Sequence, residues 1–214
     1  MPRDRKSSSA VAQPSQPEKR SVLAAHLQIL EQLAAKESGG YDFFPYVVRL
    51  LATRLGVRIA LVCELVTPNT VSLLAAWSGS GFAKPFEFNI EDTPSKVVCS
   101  QGYAFFGERL QSSFPHDALL EVIGAQSYRG ILLRNKKEQP IGVLAVLDPG
   151  PMRDDPETRA LFELLARRIS AELLRARADR TLRKIAAATE QTSEEILITD
   201  AQGVIDYVNR EVFD

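Results

Sequence analysis

Any chemistry in this chain has to come from a short roster of side chains. Two cysteines, Cys63 and Cys99, and two histidines, His26 and His116, are all that 214 residues offer of those types. The cysteines form no Cys-x-x-Cys pair, and the histidines complete no metal-ligand spacing. The Gly-x-Ser-x-Gly of a nucleophile elbow is missing, and so is the His-Glu-x-x-His of a zinc hydrolase. Asp154-Asp155 are adjacent carboxylates, but Pro156 follows and a helical pattern opens there, so capping accounts for them. Ser78-Gly79-Ser80-Gly81 lacks the Lys-Ser/Thr ending of a phosphate loop. No nucleophile, base and orienter are specified together. The expectation is a protein that binds rather than catalyses, with its thiols reduced.

Composition narrows the class further. Lys+Arg 26 against Asp+Glu 27 gives a net charge of -1, which leaves no basic footprint for nucleic acid. With 45% hydrophobic and 25% charged residues the chain has an ordinary globular balance. No apolar run approaches the about 18–20 residues that cross a bilayer. The basic residues near the start have no apolar stretch behind them, so no secretory signal is read and a cytoplasmic location is expected.

The elements that must position a site follow in order. Residues 1–20, polar and rich in Ser, Pro and Gln, read as a disordered arm. Ser21 is placed to cap a helix to about Lys36, with Leu23, Leu27, Leu30 and Ala34 on its apolar stripe and His26 beside it. A second helix, from near Asp42 to Gly56, buries Phe44, Val48, Leu51 and Leu55. Val57–Val66 alternates and, after Thr67-Pro68-Asn69-Thr70, VSLLAAW forms the returning strand. Glu64 is the acidic residue within that apolar strand, open to a ligand or a rim role. Trp77 is either core or a stacking platform. PFEFNI alternates again, Thr93-Pro94 caps a short helix SKVVCSQ ended by Gly102, and Tyr103–Phe106 is a brief strand.

From Gly124 to Asp148 two apolar runs, SYRGILL and IGVLAVL, flank the turn-forming RNKKEQP. The second run is apolar at nearly every position, so both of its faces should be covered. Gly130 and Gly142 sit inside these strands, where glycine is a cost unless another group approaches the backbone. The stretch resembles the central hairpin of a GAF domain. Tyr128, Gly130, Ile131 and Leu133 match its first strand and Ile141-Gly142-Val143-Leu144 its second, while Leu132 stands where that family usually has proline. The resemblance extends over about residues 25 to 175, including the Thr-Pro helix and the FPHD segment. It implies an α+β fold with a central antiparallel sheet, helices on one face, and a ligand cavity on the other, roofed by residues 78–123. The family-type positions imply Trp77, Phe86, Cys99, Phe106 and Tyr128 as ligand-binding residues.

After Asp155-Pro156 neither Gly nor Pro interrupts a helix until about Glu190. Leu174, Ala178, Leu182 and Ile185 approach the spacing of a two-helix seam beyond the domain, which predicts a dimer. The last stretch, ILITD and VIDYVN around Ala201-Gln202-Gly203, resembles the opening hairpin of a PAS domain, through Ile196, Thr199, Asp200, Gly203, Ile205, Tyr207, Val208 and Asn209. The expected organisation is a disordered arm (1–20), a GAF-like sensory domain (21–175), a signalling helix or coiled-coil linker (176–192) and the incomplete start of a PAS domain (193–214).

These resemblances imply a small-molecule-sensing regulatory module of a signal-transduction protein, such as a sensor histidine kinase or a cyclic-di-nucleotide enzyme. The ligand is unspecified, the output domain is absent from this chain, and neither nucleic acid nor a membrane span is expected. No haem, bilin or metal signature appears: Cys99 is followed by Ser100 where a bilin site wants histidine, and His116 precedes a short helix. Two alternatives stand beside this reading. One is a ligand-free dimerisation module; the other is an enzyme similar to free methionine sulfoxide reductases, with Cys63 and Cys99 meeting across the pocket.

Overall fold

A computed structural model of the chain describes residues 16–36, 40–191 and 194–209. The expected arm therefore lies outside the described residues from 1 to 15, and its remainder is helical, because helix α1 runs Gln16–Ala35. Pro17 falls in the first turn, where its missing N–H leaves nothing unsatisfied, and Glu18, Lys19 and Arg20 are good helix formers. Ser21 is thus inside the helix rather than its cap. The buried stripe is His26, Ile29 and Leu33, whereas Leu27 is 52% exposed. The stripe keeps helical spacing but sits one residue earlier than the leucines imply, because His26 has a partner that lets it be buried.

A single 3₁₀ turn, Gly40–Asp42, leads into α2, Phe43–Leu55. Gly56 ends α2 in the left-handed conformation and its N–H donates to the Ala52 carbonyl. Strands β1 (Ile59–Thr67), β2 (Thr70–Trp77) and β3 (Glu87–Asn89) follow. Helix α3, Pro94–Gln101, begins at a Thr93 cap that accepts from the Lys96 N–H and ends at left-handed Gly102, as its sequence predicts. Then come β4 (Tyr103–Phe106), two short helices, α4 (Leu110–Ser113) and α5 (Ala118–Ile123), and the hairpin β5 (Ser127–Arg134) and β6 (Pro140–Asp148). Helix α6 runs Pro156–Glu190, and β7 (Leu197–Thr199) pairs with β8 (Ile205–Val208) in a separate hairpin.

The main sheet has six strands in the order β3-β2-β1-β6-β5-β4, every pairing antiparallel. This is an α+β fold with β6 and β5 in the interior, and both are buried along nearly their whole length. One face, carrying Ala60, Val62, Ile131, Leu133, Leu144 and Val146, packs on α1, α2 and α6. The other face, carrying Ile59, Tyr128, Leu132, Val143, Ala145 and Leu147, is covered by Val98, Leu110 and Leu120 from the short helices. The two glycines in the hairpin each answer a close approach. A Cβ on Gly142 would collide with the Cys63 carbonyl of β1, and one on Gly130 would collide with the Tyr128 ring.

Polar groups, not only apolar area, fix α6 against the sheet. Asp155 caps it, its Oδ1 accepting from the Thr158 N–H at 2.6 Å. Ser170 Oγ accepts from the Arg134 N–H at 3.1 Å, and Glu172 Oε1 accepts from the Gly40 N–H at 2.9 Å. Arg177 donates to Glu64 Oε1 at 2.5 Å and to the Ile141 carbonyl at 3.2 Å. Glu64 is therefore neither a ligand anchor nor a free rim residue: it holds the helix. Beyond Arg177 the helix leaves the sheet, and Leu182 and Ile185 are 65% and 57% exposed. Asn209 joins the terminal hairpin to the end of α6, donating to the Thr189 carbonyl at 3.1 Å and accepting from the Ile196 N–H at 2.8 Å.

Phe162 is fully buried between α6 and the sheet. Phe162→Ala is expected to cost about 3–5 kcal/mol of unfolding free energy. Urea denaturation measures it; a loss under about 1 kcal/mol is incompatible with this packing.

Candidate functional site

On the sheet face away from α1, α2 and α6, the short helices do not close completely. A cavity of about 210 Å³ remains between β1, β3, β6, β5 and the segments 93–95 and 117–123. Its walls include Leu61, Phe86, Phe88, Leu120 and Leu147, and its polar groups are Asn89, Thr93, Ser95, Asp117 and Tyr128.

Tyr128 forms its floor. The side chain is 2% exposed, and its hydroxyl lies 3.3 Å from Ser95 Oγ. The ring extends over Gly130, where only a residue without Cβ leaves it room. Burial pushes the phenol well above its ordinary pKa, so it is a neutral hydrogen-bonding group. Ser95 arrives through local structure: Thr93 caps α3 and Pro94 takes the first helical position, which sets Ser95 in the first turn facing the sheet.

Asp117 comes from the other wall. Its Oδ1 accepts from the N–H groups of Leu119 at 3.1 Å and Leu120 at 3.4 Å, capping α5. Both caps fall on one oxygen, which leaves Oδ2 for another donor. Burial raises the Asp117 pKa above the usual carboxylate value, against the lowering by the two backbone N–H groups. An apolar enclosure holding a carboxylate oxygen, two hydroxyls and a buried phenol can bind a small molecule with an apolar body and a hydrogen-bond donor.

Of the residues expected here, Phe86 and Tyr128 line the cavity. Phe106 stands behind it, its ring 6.4 Å from Tyr128 and edge-on to Phe114 at 5.0 Å. Cys99 packs among the core residues of the same face without reaching the cavity wall. Trp77 lies apart from this cavity. It belongs to the helix-side core and meets Phe82 edge-on at 4.9 Å, so it cannot stack on a ligand in this cavity. A register shift in the β1–β2 pairing falls between Val62 and Cys63, and beyond it Ala75 and Trp77 turn to the helix side, which a family-type position alone does not show. Asp117, Ser95, Thr93 and Asn89 were missed as site residues, although Asp117 before ALLEVI and Thr93-Pro94 are legible capping signals.

Cys63 and Cys99 are both free. Burial raises the pKa of each thiol, and the two raise Cys63 further through their mutual repulsion. A thiol held protonated is a poor nucleophile. His116 is exposed. Among the described residues no group of three or more His, Cys, Asp or Glu side chains stands close enough to hold a metal ion. No described helix is long and apolar enough to cross a membrane.

This architecture is that of GAF domains. The chain superposes on the GAF domain of a phosphoenolpyruvate-protein phosphotransferase from Coxiella burnetii with a TM-score of 0.61 and 17% identity, over 76% of this chain and 98% of that one. A GAF domain of the corresponding Acinetobacter enzyme matches with a TM-score of 0.58 and 14% identity, over 75% and 97% of the two chains. The free methionine-R-sulfoxide reductase of Neisseria meningitidis, solved in complex with its substrate, gives 0.58 and 15%, over 79% and 98%. No family model and no curated protein sequence matches the chain. The shared property is the fold.

Two substitutions probe the site. Gly130→Ala should displace the Tyr128 ring at a cost of about 1–3 kcal/mol, read by chemical denaturation. At Asp117 the sign follows from its raised pKa: the unfolded chain ionises first as pH rises, so stability present at low pH is lost as pH climbs through the folded value. Asp117→Asn keeps a cap and removes that loss. Its melting temperature should therefore exceed wild type at pH 7, with the gap closing toward about pH 4. A wild type equally stable or more stable at pH 7 contradicts the assignment.

Proposed function

We propose that this chain is a sensory module that binds a small molecule in the cavity floored by Tyr128 and reports its occupancy through α6. The observation that carries the reading is the set of Ser95, Asp117 and Tyr128, three polar side chains converging inside apolar walls. The ligand class that fits is a small apolar molecule with a hydroxyl or amine that donates to Asp117. Signalling proteins supply several of the GAF folds that match, among them bacteriophytochromes, which supports a regulatory context.

Occupancy has a route to the helix. Tyr128 faces the cavity and Arg129, next on β5, faces α6, where its Nη2 donates to the Arg153 carbonyl at 2.5 Å and to Asp155 Oδ2 at 3.4 Å. A ligand that favours one position of β5 biases the start of α6 by no more than its difference in affinity for the two states. The exposed Leu182 and Ile185 then serve as a seam with a second copy, with Leu174 and Ala178 on the same helix. The β7–β8 hairpin is the opening of a PAS domain in this reading, followed by an output domain such as a histidine kinase or a cyclic-di-nucleotide enzyme in a cytoplasmic protein. The raised pKa values of both thiols support a binding rather than a catalytic role.

A second reading, a dimerisation module without ligand, has one observation in its favour. The cavity of about 210 Å³ is smaller than the ~300–1,000 Å³ typical of ligand pockets. Native mass spectrometry of the full chain separates the two. The sensor predicts a retained small molecule or a saturable metabolite adduct that Leu61→Trp, which fills the cavity, abolishes. A bare mass at every condition, unchanged by Leu61→Trp, supports the ligand-free module. For the seam, Leu182→Glu with Ile185→Glu should convert a sedimenting dimer to monomer; a wild-type monomer at all concentrations rules the seam out.

A further inference from the structure

The cavity floored by Tyr128 has an unbalanced charge. Asp117 is the one residue of its lining that can carry a full charge at neutral pH, since burial keeps the Tyr128 phenol protonated. No Lys, Arg or His among the described residues pairs with it. Lys96 of α3 is held by Glu91 at 3.1 Å, and His116 and Glu121 lie exposed. The two N–H groups that Asp117 Oδ1 accepts from are dipoles and leave the net charge in place. Asp117 is half-buried; its Oδ2 accepts no hydrogen bond among the described residues and keeps accessible surface. A carboxylate so placed loses solvation without gaining a counter-ion, and a cation entering the enclosure offsets that loss.

The rest of the lining defines what carries the cation. The charge of Asp117 contributes to the raised pKa of Tyr128, so the two groups lie within electrostatic reach of each other. The Tyr128 hydroxyl and Ser95 Oγ lie 3.3 Å apart and share one hydrogen, which leaves lone pairs for an incoming N–H. Asn89 Oδ1 is taken by the Glu91 N–H at 2.7 Å, and Thr93 Oγ1 donates to the Ile90 carbonyl at 2.7 Å. Phe86 and Phe88, their ring centroids 5.3 Å apart, stand in the same wall, and aromatic rings attract cations. An alcohol satisfies one lone pair of Asp117 and leaves its charge uncompensated. An anionic ligand meets that charge with repulsion.

We infer that the cavity selects a small protonated primary amine with an apolar body, its ammonium paired with Asp117 and its other N–H groups met by the Ser95 and Tyr128 hydroxyls. This rests on the reading of the cavity as a ligand site and decides between the donors that reading allows. The space of about 210 Å³ admits a body on the order of one aromatic ring, since an apolar cavity of about 150 Å³ binds benzene.

Titration of the full-length ¹⁵N,¹³C-labelled chain with benzylamine, benzyl alcohol and benzoate at pH 7 and constant ionic strength, followed by nuclear magnetic resonance, tests this. Benzylamine should shift the Leu119 and Leu120 amides with saturation and bind about tenfold or more tightly than benzyl alcohol, the difference made by a charge-assisted hydrogen bond. Benzoate should not saturate. Benzylamine should also lower the Asp117 pKa by more than benzyl alcohol does, because an ammonium favours the ionised carboxyl. Asp117→Asn, which keeps a cap on α5, should bring the two affinities to within about twofold of each other. Equal affinities in the wild type, or an amine preference that survives Asp117→Asn, would overturn the amine assignment and leave the cavity a ligand site. No saturable binding by amine or alcohol, with shifts unaltered by Leu61→Trp, would overturn both.

Discussion

Two consecutive side chains of one interior strand must point to opposite faces of its sheet, and this constraint governs the molecule. Tyr128 turns toward the short helices and floors a cavity; Arg129 turns toward α6 and holds the loop that caps it. Both side chains are carried by one backbone that is held on both sides, since β5 is hydrogen-bonded to β4 and β6. Gly130 completes the arrangement by giving the Tyr128 ring space over the backbone. The cavity floor and the group that holds the α6 cap are thus neighbouring residues on opposite faces of a single sheet.

Burying Arg129 is not an efficient way to stabilise a fold, since the desolvation of a guanidinium offsets much of what its contacts return. What such a group provides is geometry. The same holds for Arg177, which reaches Glu64 and two main-chain carbonyls from the far end of the packed part of α6. Between them, Ser170 and Glu172 accept from backbone N–H groups of other elements. The helix is therefore fixed in register from Asp155 to Arg177 by directional bonds superimposed on the apolar contacts of Phe162, Leu165, Ile169 and Leu173.

Much of this was legible in the residues. The fully apolar β6, the Thr93-Pro94 and Asp155-Pro156 caps and the glycine ends of α2 and α3 each follow from local rules, and each forms as those rules require. The terminal hairpin formed as well, since turn chemistry at Ala201-Gln202-Gly203 is local. The unread features depend on partners distant in sequence. His26 displaced Leu27 from the buried stripe because Thr158 waits for it in another helix. Glu64 could not announce Arg177, and nothing in SYRGILL distinguishes a buried arginine from an exposed one. The family-type position of Trp77 carried no information on the irregular β1–β2 pairing that turns it to the helix side. Of the cavity's polar groups, Tyr128 was expected and Thr93 was read as a cap alone, while Asn89, Ser95 and Asp117 come together only through the packing of distant elements.

Amide hydrogen exchange in the Gly130→Ala chain tests the two-faced strand most directly. That substitution perturbs the Tyr128 ring on one side of the sheet, while Thr158 and Arg159 begin α6 on the other. Coupling through β5 predicts faster exchange at the first turn of α6, with the α2 amides unchanged. Altered exchange confined to α3 and α5 would show that the two faces respond separately, and would contradict it.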